Sequence, residues 1–471
     1  MVREIANFLS DIAWGPWMLI LLVGTGIFLS IRVKFLQFTR FGYAMKNTIG
    51  KVLQKQKAGK GEITPFQAVS TALAATVGTG NIAGVTGALI IGGPGAVFWM
   101  WIAAIFGMVT KFSEVVLAVR FRERNSAGDW VGGPMYYIKN GLGRNWKWLG
   151  AVFCVLAALA AFGIGNMTQV NTIAVSINSA IDSFGGDTGA WMIGNTKVSS
   201  LIVGVLCAVV AAVVLLGGVK RIGSVMGKMV PVMAGIYILS ALAVLVLNVQ
   251  HLGDAFAMIF RGAFHADAAI GGTTGIVIMT TIQKGVGRGV FSNEAGMGSA
   301  PMAHAATSET DPVKQGLYGI FEVFVDTIII CTLTALTVLC AVKSGVPAPW
   351  GQEAGAELVG AAFGVVFGSR IASLLIAACI SLFALSTVLS WSLYGSRCIE
   401  YLFGTKSMRV YQVIFVIVVA LGSFLELDVA WTLAEALNGF MAIPNLIALL
   451  ALSPVVVKLT KEYFETNRLR R

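Results

Sequence analysis

Long apolar stretches, bounded by charge, glycine or proline, set the pattern of this chain. They recur at 14–31, 65–91, 94–119, 148–181, 198–218, 229–249, 273–303, 317–342, 369–399, 409–425 and 430–457. Stretches of about 17–25 apolar residues cross a bilayer as helices, so the pattern predicts an all-α polytopic membrane protein with 11 transmembrane helices. The windows at 94–119, 148–181, 273–303 and 369–399 are longer than a perpendicular helix needs, which implies tilt, breaks or extensions beyond the membrane.

One window contradicts its own helix. Thr76-Val77-Gly78-Thr79-Gly80-Asn81 lies inside 65–91, and each glycine there costs about 1 kcal/mol of helix propensity. Unwound backbone at membrane depth is tolerated only where protein encloses it around a cavity. Secondary transporters hold ions and solutes at such broken helices.

Composition agrees with this class. Only 12% of residues are charged and 56% are hydrophobic, against roughly 25% charged in a soluble domain. The N-terminal segment carries Arg3, Glu4 and Asp11 with no small-residue cleavage pattern, so no removable signal peptide is expected and the spans themselves direct insertion. Cys154, Cys207, Cys331, Cys340, Cys379 and Cys398 all fall in apolar segments without metal-ligand spacing, and are expected as packed thiols.

Charge supplies the orientation. If the segment after the first span is cytoplasmic, 26 basic residues fall inside and 5 (Arg3, Lys197, Arg261, Lys343 and Arg370) outside. That asymmetry predicts an external N-terminus and a cytoplasmic C-terminus. The net charge of +11 is then mostly topology and attraction to anionic headgroups of the bilayer, with no nucleic-acid partner.

Residues 1–63 are read as an N-terminal extra span with a basic cytoplasmic loop, and 458–471 as a basic tail. Between them the ten remaining spans divide into two fives, 64–249 and 273–457, joined by an extracellular loop at 250–272. Five is odd, so the second half enters inverted: a 5+5 inverted repeat with two broken helices. Gly78 and Gly80 in the first helix of one half are matched by Gly285, Gly287, Gly289, Gly296 and Gly298 in the first helix of the other. Glycine-interrupted segments at corresponding places in two halves point to a binding site.

The runs ATVGTGNIAGVTG (75–87), GGPMYYIKNGLG (132–143) and GVFSNEAGMGSAPMAHAA (289–306) resemble signatures of the alanine or glycine:cation symporters, the bacterial and archaeal sodium:alanine symporter family. Val77-Gly78-Thr79-Gly80-Asn81 is also similar to a string in the first core helix of the sodium-coupled leucine transporters. The resemblance implies uptake of alanine, glycine or similarly small amino acids with sodium, sometimes with protons, across a prokaryotic plasma membrane by alternating access.

The residues fit that chemistry. Unwinding at Gly78–Gly80 frees amides near Thr79 and Gly80 for a substrate carboxylate, and carbonyls of Ala74 and Val77 for a hard cation. Ser386 and Thr387 resemble the hydroxyl pair that helps hold sodium in the related scaffold, Thr387 being favoured; alternatively both hydroxyls bond back to the preceding helical turn. Phe291-Ser292-Asn293-Glu294-Ala295-Gly296 is expected to unwind and accept the substrate amine, through its carbonyls and Asn293, unless Asn293 caps the next half-helix. Gln169 is unusually polar for its span and is a further substrate candidate, with interhelical packing as the alternative. Phe291, Met297 and Trp391 are bulky enough to restrict the pocket to small solutes. Asn81 joins the substrate set or braces the break.

Intramembrane charges are costly. Lys111 and Glu114, Glu322 and Asp326, and Lys284, Arg288 and Glu294 are expected to form an ion-pair network, with Lys284 or Arg288 relieving repulsion between Glu322 and Asp326; Glu435 stands alone. The 132–143 loop is expected to lie at the interface with Tyr136 and Tyr137 at headgroup level. His304 has no metal partner at ligand spacing and gets no role. Two other classes are weighed. A channel lacks a repeated carbonyl filter here, and an enzyme lacks a base beside Ser292 or a metal motif beside Glu294. Sodium, with the proton as alternative, is the expected co-substrate; the sequence sets no oligomeric state.

Overall fold

The structure, a computed structural model, describes residues 2–51, 58–59, 61–264, 274–352, 355–425 and 428–469. Lys55, Lys57, Lys60, Arg470 and Arg471 of the basic set, position 273 and part of the 250–272 connection lie outside the described residues. Almost everything described is helix, with two short two-stranded ribbons in connecting loops.

Among the described residues, eight helices are long and apolar enough to cross a membrane, and a ninth span forms if the bent pair Pro65–Thr76 and Thr79–Gly92 is taken together. These nine correspond to nine of the predicted windows. The other two windows coincide with Thr274–Asn293 and with Ser407–Gly422, a shorter apolar helix of 16 residues. Between residues 250 and 264 the expected loop is largely helix, Leu252–Phe264.

The broken helix has a well-defined start. Thr64 accepts from the Gln67 amide at 3.2 Å while the Gln67 side chain accepts from the Thr64 amide at 3.0 Å, and Pro65 follows at the first helical position. Two orphan donors of the first turn are thus satisfied by side chains.

Ala96–Arg120 is the packing centre, buried against Pro312–Val323, Thr274–Asn293 and Pro16–Arg32. Lipid removes the hydrophobic drive between helices, so close approach of small residues takes over. A Cβ on Gly26 would lie 2.9 Å from Phe106, and one on Gly316 2.7 Å from Val116. At the other extreme, Val198–Leu215 and Gly218–Leu247 leave Ile202, Val205, Leu206, Leu239 and Val246 exposed, a surface suited to lipid. All six cysteines are buried and unpaired.

The loop after Ala96–Arg120 is built from a ribbon and a short helix. Glu123–Arg124 pairs antiparallel with Trp130–Val131, and the chain then enters a short helix, Pro134–Tyr137, continued by a π-helical turn at Ile138–Leu142. Tyr136 and Tyr137 are buried against the protein: Tyr137 donates its hydroxyl to Asn445, and Tyr136 packs edge-on against Tyr401. Gly133 supplies the positive φ, 125°, at the entry to this short helix.

Candidate functional site

The first break occupies the predicted string. Pro65–Thr76 ends as Val77 leaves helical geometry (φ −76°, ψ 86°), one helical turn forms at Thr79–Asn81, and the helix resumes at Ala83, bent by 59°. Asn81 Oδ1 accepts from the Gly78 amide at 2.9 Å, so the break closes on its own side chain. The Thr79 and Gly80 amides begin a new turn, where the first donors have no intrahelical acceptor and a partial positive charge gathers.

On the other side of the break the Ala74 carbonyl faces Ser386 and Thr387. It accepts from Ser386 Oγ at 3.2 Å and Thr387 Oγ1 at 3.1 Å, and both hydroxyls also reach the Phe383 carbonyl, at 2.8 and 3.0 Å. Each hydroxyl thus bonds back to its own helix, the alternative weighed above, and also reaches the Ala74 carbonyl at the break. Val77 is buried beside them.

The second break begins later than predicted. Thr274–Asn293 stays helical through Phe291, Ser292 and Asn293, and the interruption runs from Glu294 to Ala300 before Pro301–His304 resumes. Glu294, Gly296 and Gly298 adopt positive φ of 54°, 92° and 81°. Glycine tolerates that conformation freely, so the chain unwinds where Gly296 and Gly298 stand and not where Ser292 and Asn293 stand. Glu114 holds the loop: its Oε1 accepts from the Gly296 amide at 3.1 Å, the Gly298 amide at 3.0 Å and Asn445 Nδ2 at 2.5 Å. Asn293 accepts from the Ala295 amide at 2.9 Å and donates to Thr327 at 3.1 Å, so its oxygen serves the turn at the end of its own helix and does not cap the following one, which starts at Pro301.

A polar chain joins the breaks. Asn81 Nδ2 donates to Ser292 Oγ at 2.9 Å and Asp326 Oδ1 at 2.7 Å, while Ser292 and Thr327 both donate to Asp326 Oδ2 at 2.8 Å. Asp326 and Thr327 were not among the predicted site residues. Their signal was present: a carboxylate in an apolar span with a hydroxyl beside it, on a segment that the structure shows to be π-helical, Phe324–Cys331. Such turns gather at functional sites.

Thr79 donates to Gln169 Oε1 at 3.1 Å, and Gln169 Nε2 donates to the Ile164 carbonyl at 2.9 Å across another π-helical turn, Gly163–Met167. Phe291 lies 3.9 Å from where a Gly80 Cβ would sit. Trp391 is fully buried against Gly165, whose missing side chain makes room for it. Met297 is placed apart, its sulfur 3.8 Å from Asn438 Nδ2. The structure thus gathers Ala74, Val77, Ser386 and Thr387 at one side of the first break, and Thr79, Gly80, Asn81, Gln169, Phe291 and Ser292 at the other.

The ion pairs also differ from expectation. Glu322 pairs with Lys111 at 3.3 Å and with His304 at 3.1 Å, and Arg288 pairs with Glu435 at 3.1 Å. Lys111 projects from the neighbouring helix straight into the bundle, a relation that spacing along one segment does not reveal.

The sodium:alanine symporter family model matches residues 1–471. The chain belongs to the sodium:alanine symporter family. Among its relatives, the sodium/alanine symporter AgcS of Methanococcus maripaludis is 44% identical, over 99% of this chain and 98% of that one. The amino-acid carrier protein AlsT of Bacillus subtilis is 37% identical, over 99% and 93%. The probable sodium/glutamine symporter GlnT of the same organism is 36% identical, over 98% and 91%. In structure the family member is similar to MhsT, solved with L-phenylalanine, with a TM-score of 0.58 over 86% of this chain and 99% of that one; at 14% identity this speaks for the fold. A symporter of this family is a transporter, not an enzyme, and acts across a membrane.

Proposed function

We propose that this symporter takes up alanine, glycine or a similarly small amino acid together with sodium, by alternating access. The observation that carries the reading is the meeting of two hydroxyls with the freed Ala74 carbonyl at 3.1–3.2 Å, beside the Gly78 break. Sodium favours several oxygen ligands, and Ala74, Val77, Ser386 and Thr387 supply carbonyl and hydroxyl oxygens with no bulk charge to neutralise.

The substrate carboxylate goes to the amides at Thr79 and Gly80, with Gln169 beside them and Phe291 closing the apolar side. Asn81, Ser292 and Asn293 stand as the polar link to the second break, and Trp391 as packing that limits volume, while Met297 lies apart. The names of AgcS, AlsT and GlnT support an amino-acid substrate and a sodium partner. The expected topology is an external N-terminus, a cytoplasmic basic face, an extra N-terminal span (1–63), inverted halves at 64–249 and 273–457, and placement in a prokaryotic plasma membrane. Site and scaffold support coupling because a half-filled site leaves the two breaks less well braced than a full one.

Purified protein in liposomes tests this. Labelled alanine or glycine should accumulate under an inward sodium gradient and stop when the gradient is collapsed. Uptake that ignores sodium and follows a proton gradient would replace the sodium reading with proton coupling.

A further inference from the structure

One end of the bundle is tied together by a short hairpin and a single-residue bridge. Ile63, just before the first broken helix, pairs with the segment after the second: its amide donates to the Ala306 carbonyl at 3.0 Å, and its carbonyl accepts from the Ser308 amide at 2.8 Å. The hairpin, Glu123–Arg124 with Trp130–Val131, follows directly on Ala96–Arg120 and reaches three neighbours. Toward the segment after the second break, Arg122 donates to the carbonyls of Ala305, Thr307 and Glu309 at 3.1, 2.6 and 2.9 Å. Toward the segment before the first, the Trp130 amide donates to the Gly61 carbonyl at 3.2 Å, and Trp130 Nε1 and Arg124 both donate to Glu62 Oε1, at 3.0 and 2.6 Å. Toward the end of Ser369–Phe403, Asn125 donates to Glu400 Oε1 at 2.7 Å, and Arg397 pairs with Oε2 of the same carboxylate at 2.6 Å.

The tie is close-fitting and polar. A Cβ on Gly61 would lie 2.6 Å from the Gly128 carbonyl oxygen, and one on Gly132 2.6 Å from Ala305 Cβ, so glycine lets each segment come up against the hairpin. The centre of the Trp130 ring lies 4.2 and 4.1 Å from the guanidinium carbons of Arg122 and Arg124, which holds the planar Arg122 group in place. The carbonyls that Arg122 serves follow the short helix Pro301–His304, where backbone acceptors find no donor within the helix. The hairpin lies at the surface, with the Arg124 side chain 40% and Asp129 31% exposed. Water can therefore donate to those carbonyls when the guanidinium leaves, which makes the tie reversible, unlike the close-packed seam of Gly316 against Val116.

We propose that this hairpin latches the gate at the basic end of the bundle and that Arg122 is the residue that holds it: the route from the two breaks to this face opens when Arg122 releases the 305–309 carbonyls. The proposal rests on the alternating-access reading and, for the side that opens, on the topology given with it. Arg122 acts by position, since its partners are the gate segments and not the oxygens around Ala74 and Thr387. Pro65–Thr76, Pro301–His304 and Ser369–Phe403 pack against one another, and the latch ties the end of each. Its release frees the first two to part from each other and from the third. A native reporter lies on that route. Cys398 sits about three turns beyond Thr387 on the same helix, near the same face and about 16 Å along the axis, buried with its thiol 3.7 Å from Met302 Sδ.

Modification of Cys398 by N-ethylmaleimide, read by peptide mass spectrometry on the intact protein in detergent micelles, tests the proposal. Arg122→Ala should raise the Cys398 rate about tenfold over wild-type, and Arg122→Lys, which keeps the charge and loses the planar fork, should fall between the two. An unchanged Cys398 rate in Arg122→Ala overturns the proposal. So does an equal rise at Cys207, which lies on Val198–Leu215, because that marks general loosening and not the release of a gate. A second protein closes the gate again. With Ile63→Cys and Thr307→Cys added to Arg122→Ala, a disulfide across these paired positions should return Cys398 to the wild-type rate, and its reduction should release it once more. Cys398 modified equally fast in the oxidised and reduced forms would count against the latch. These readouts need neither solute nor sodium, so their failure leaves the uptake reading standing, and a failure of uptake leaves the latch standing.

Discussion

Gly78 and Thr387 approach so closely that a Cβ on the glycine would sit 2.7 Å from Thr387 Oγ1. That hydroxyl cannot swing aside freely, because it is held by both Ala74 and Phe383. Gly78→Ala is therefore expected to displace Thr387 and abolish sodium-dependent uptake, with the protein still inserted in the membrane. Transport kinetics that match wild-type would mean that the hydroxyl contributes nothing at this place.

Thr387→Ala should raise the half-saturating sodium concentration about tenfold, the equivalent of losing one oxygen ligand worth about 1.4 kcal/mol. Thr387→Ser, which keeps the hydroxyl, should stay close to wild-type. Uptake measured across a sodium series separates the two; equal losses would trace the effect to the missing methyl group.

Asn81→Ala strips Asp326 of a donor at 2.7 Å and leaves the Gly78 amide without its acceptor. Stranding buried polar groups costs about 1–3 kcal/mol each, so the thermal midpoint in detergent should fall by several degrees. An unchanged midpoint would show that water or another side chain replaces the amide.

Gly165→Ala places a Cβ 2.3 Å from Trp391 Cβ. Overpacking of this kind costs about 1–3 kcal/mol. Trp391 Cγ and Cδ2 would also lie at 2.4 and 2.8 Å, so the buried ring as a whole must shift and the thermal midpoint in detergent should fall by several degrees. An unchanged midpoint would show that the two helices part at no cost.

Glu62 offers a pH test. Its folded pKa is lowered from 4.5, so its ionised contacts contribute stability that is fully present above that value and is lost as pH falls through the folded one. The difference in thermal midpoint between wild-type and Glu62→Gln should stay flat from about pH 8 to about pH 5 and shrink only below about pH 4.5. A difference that shrinks near neutrality would assign the titration elsewhere.

The first break was legible at residue resolution, since two glycines and Asn81 within one apolar window leave few alternatives. The second was legible as a region and misplaced by about three residues. Ser292 and Asn293 are poor helix formers in isolation, yet Ser292 bonds Asp326 and Asn293 bonds Thr327 from within the helix, so tertiary contacts carry the helix past them. The partners of buried charges were least legible. Whether Glu322 meets Lys111 or Lys284 depends on which faces of separate helices come together, and no local spacing encodes that.

The two halves of the first broken helix are 12 and 10 residues long. Helices of that length are barely stable alone, so each must be carried by its neighbours. Pro65–Thr76 leans on Gly218–Leu247 and Ser369–Phe403, whereas Ala83–Gly92 leans on Thr274–Asn293 and Thr332–Lys343. A change of angle at Gly78 would therefore have to carry whole groups of helices with it, Gly218–Leu247 and Ser369–Phe403 on one side and Thr274–Asn293 and Thr332–Lys343 on the other.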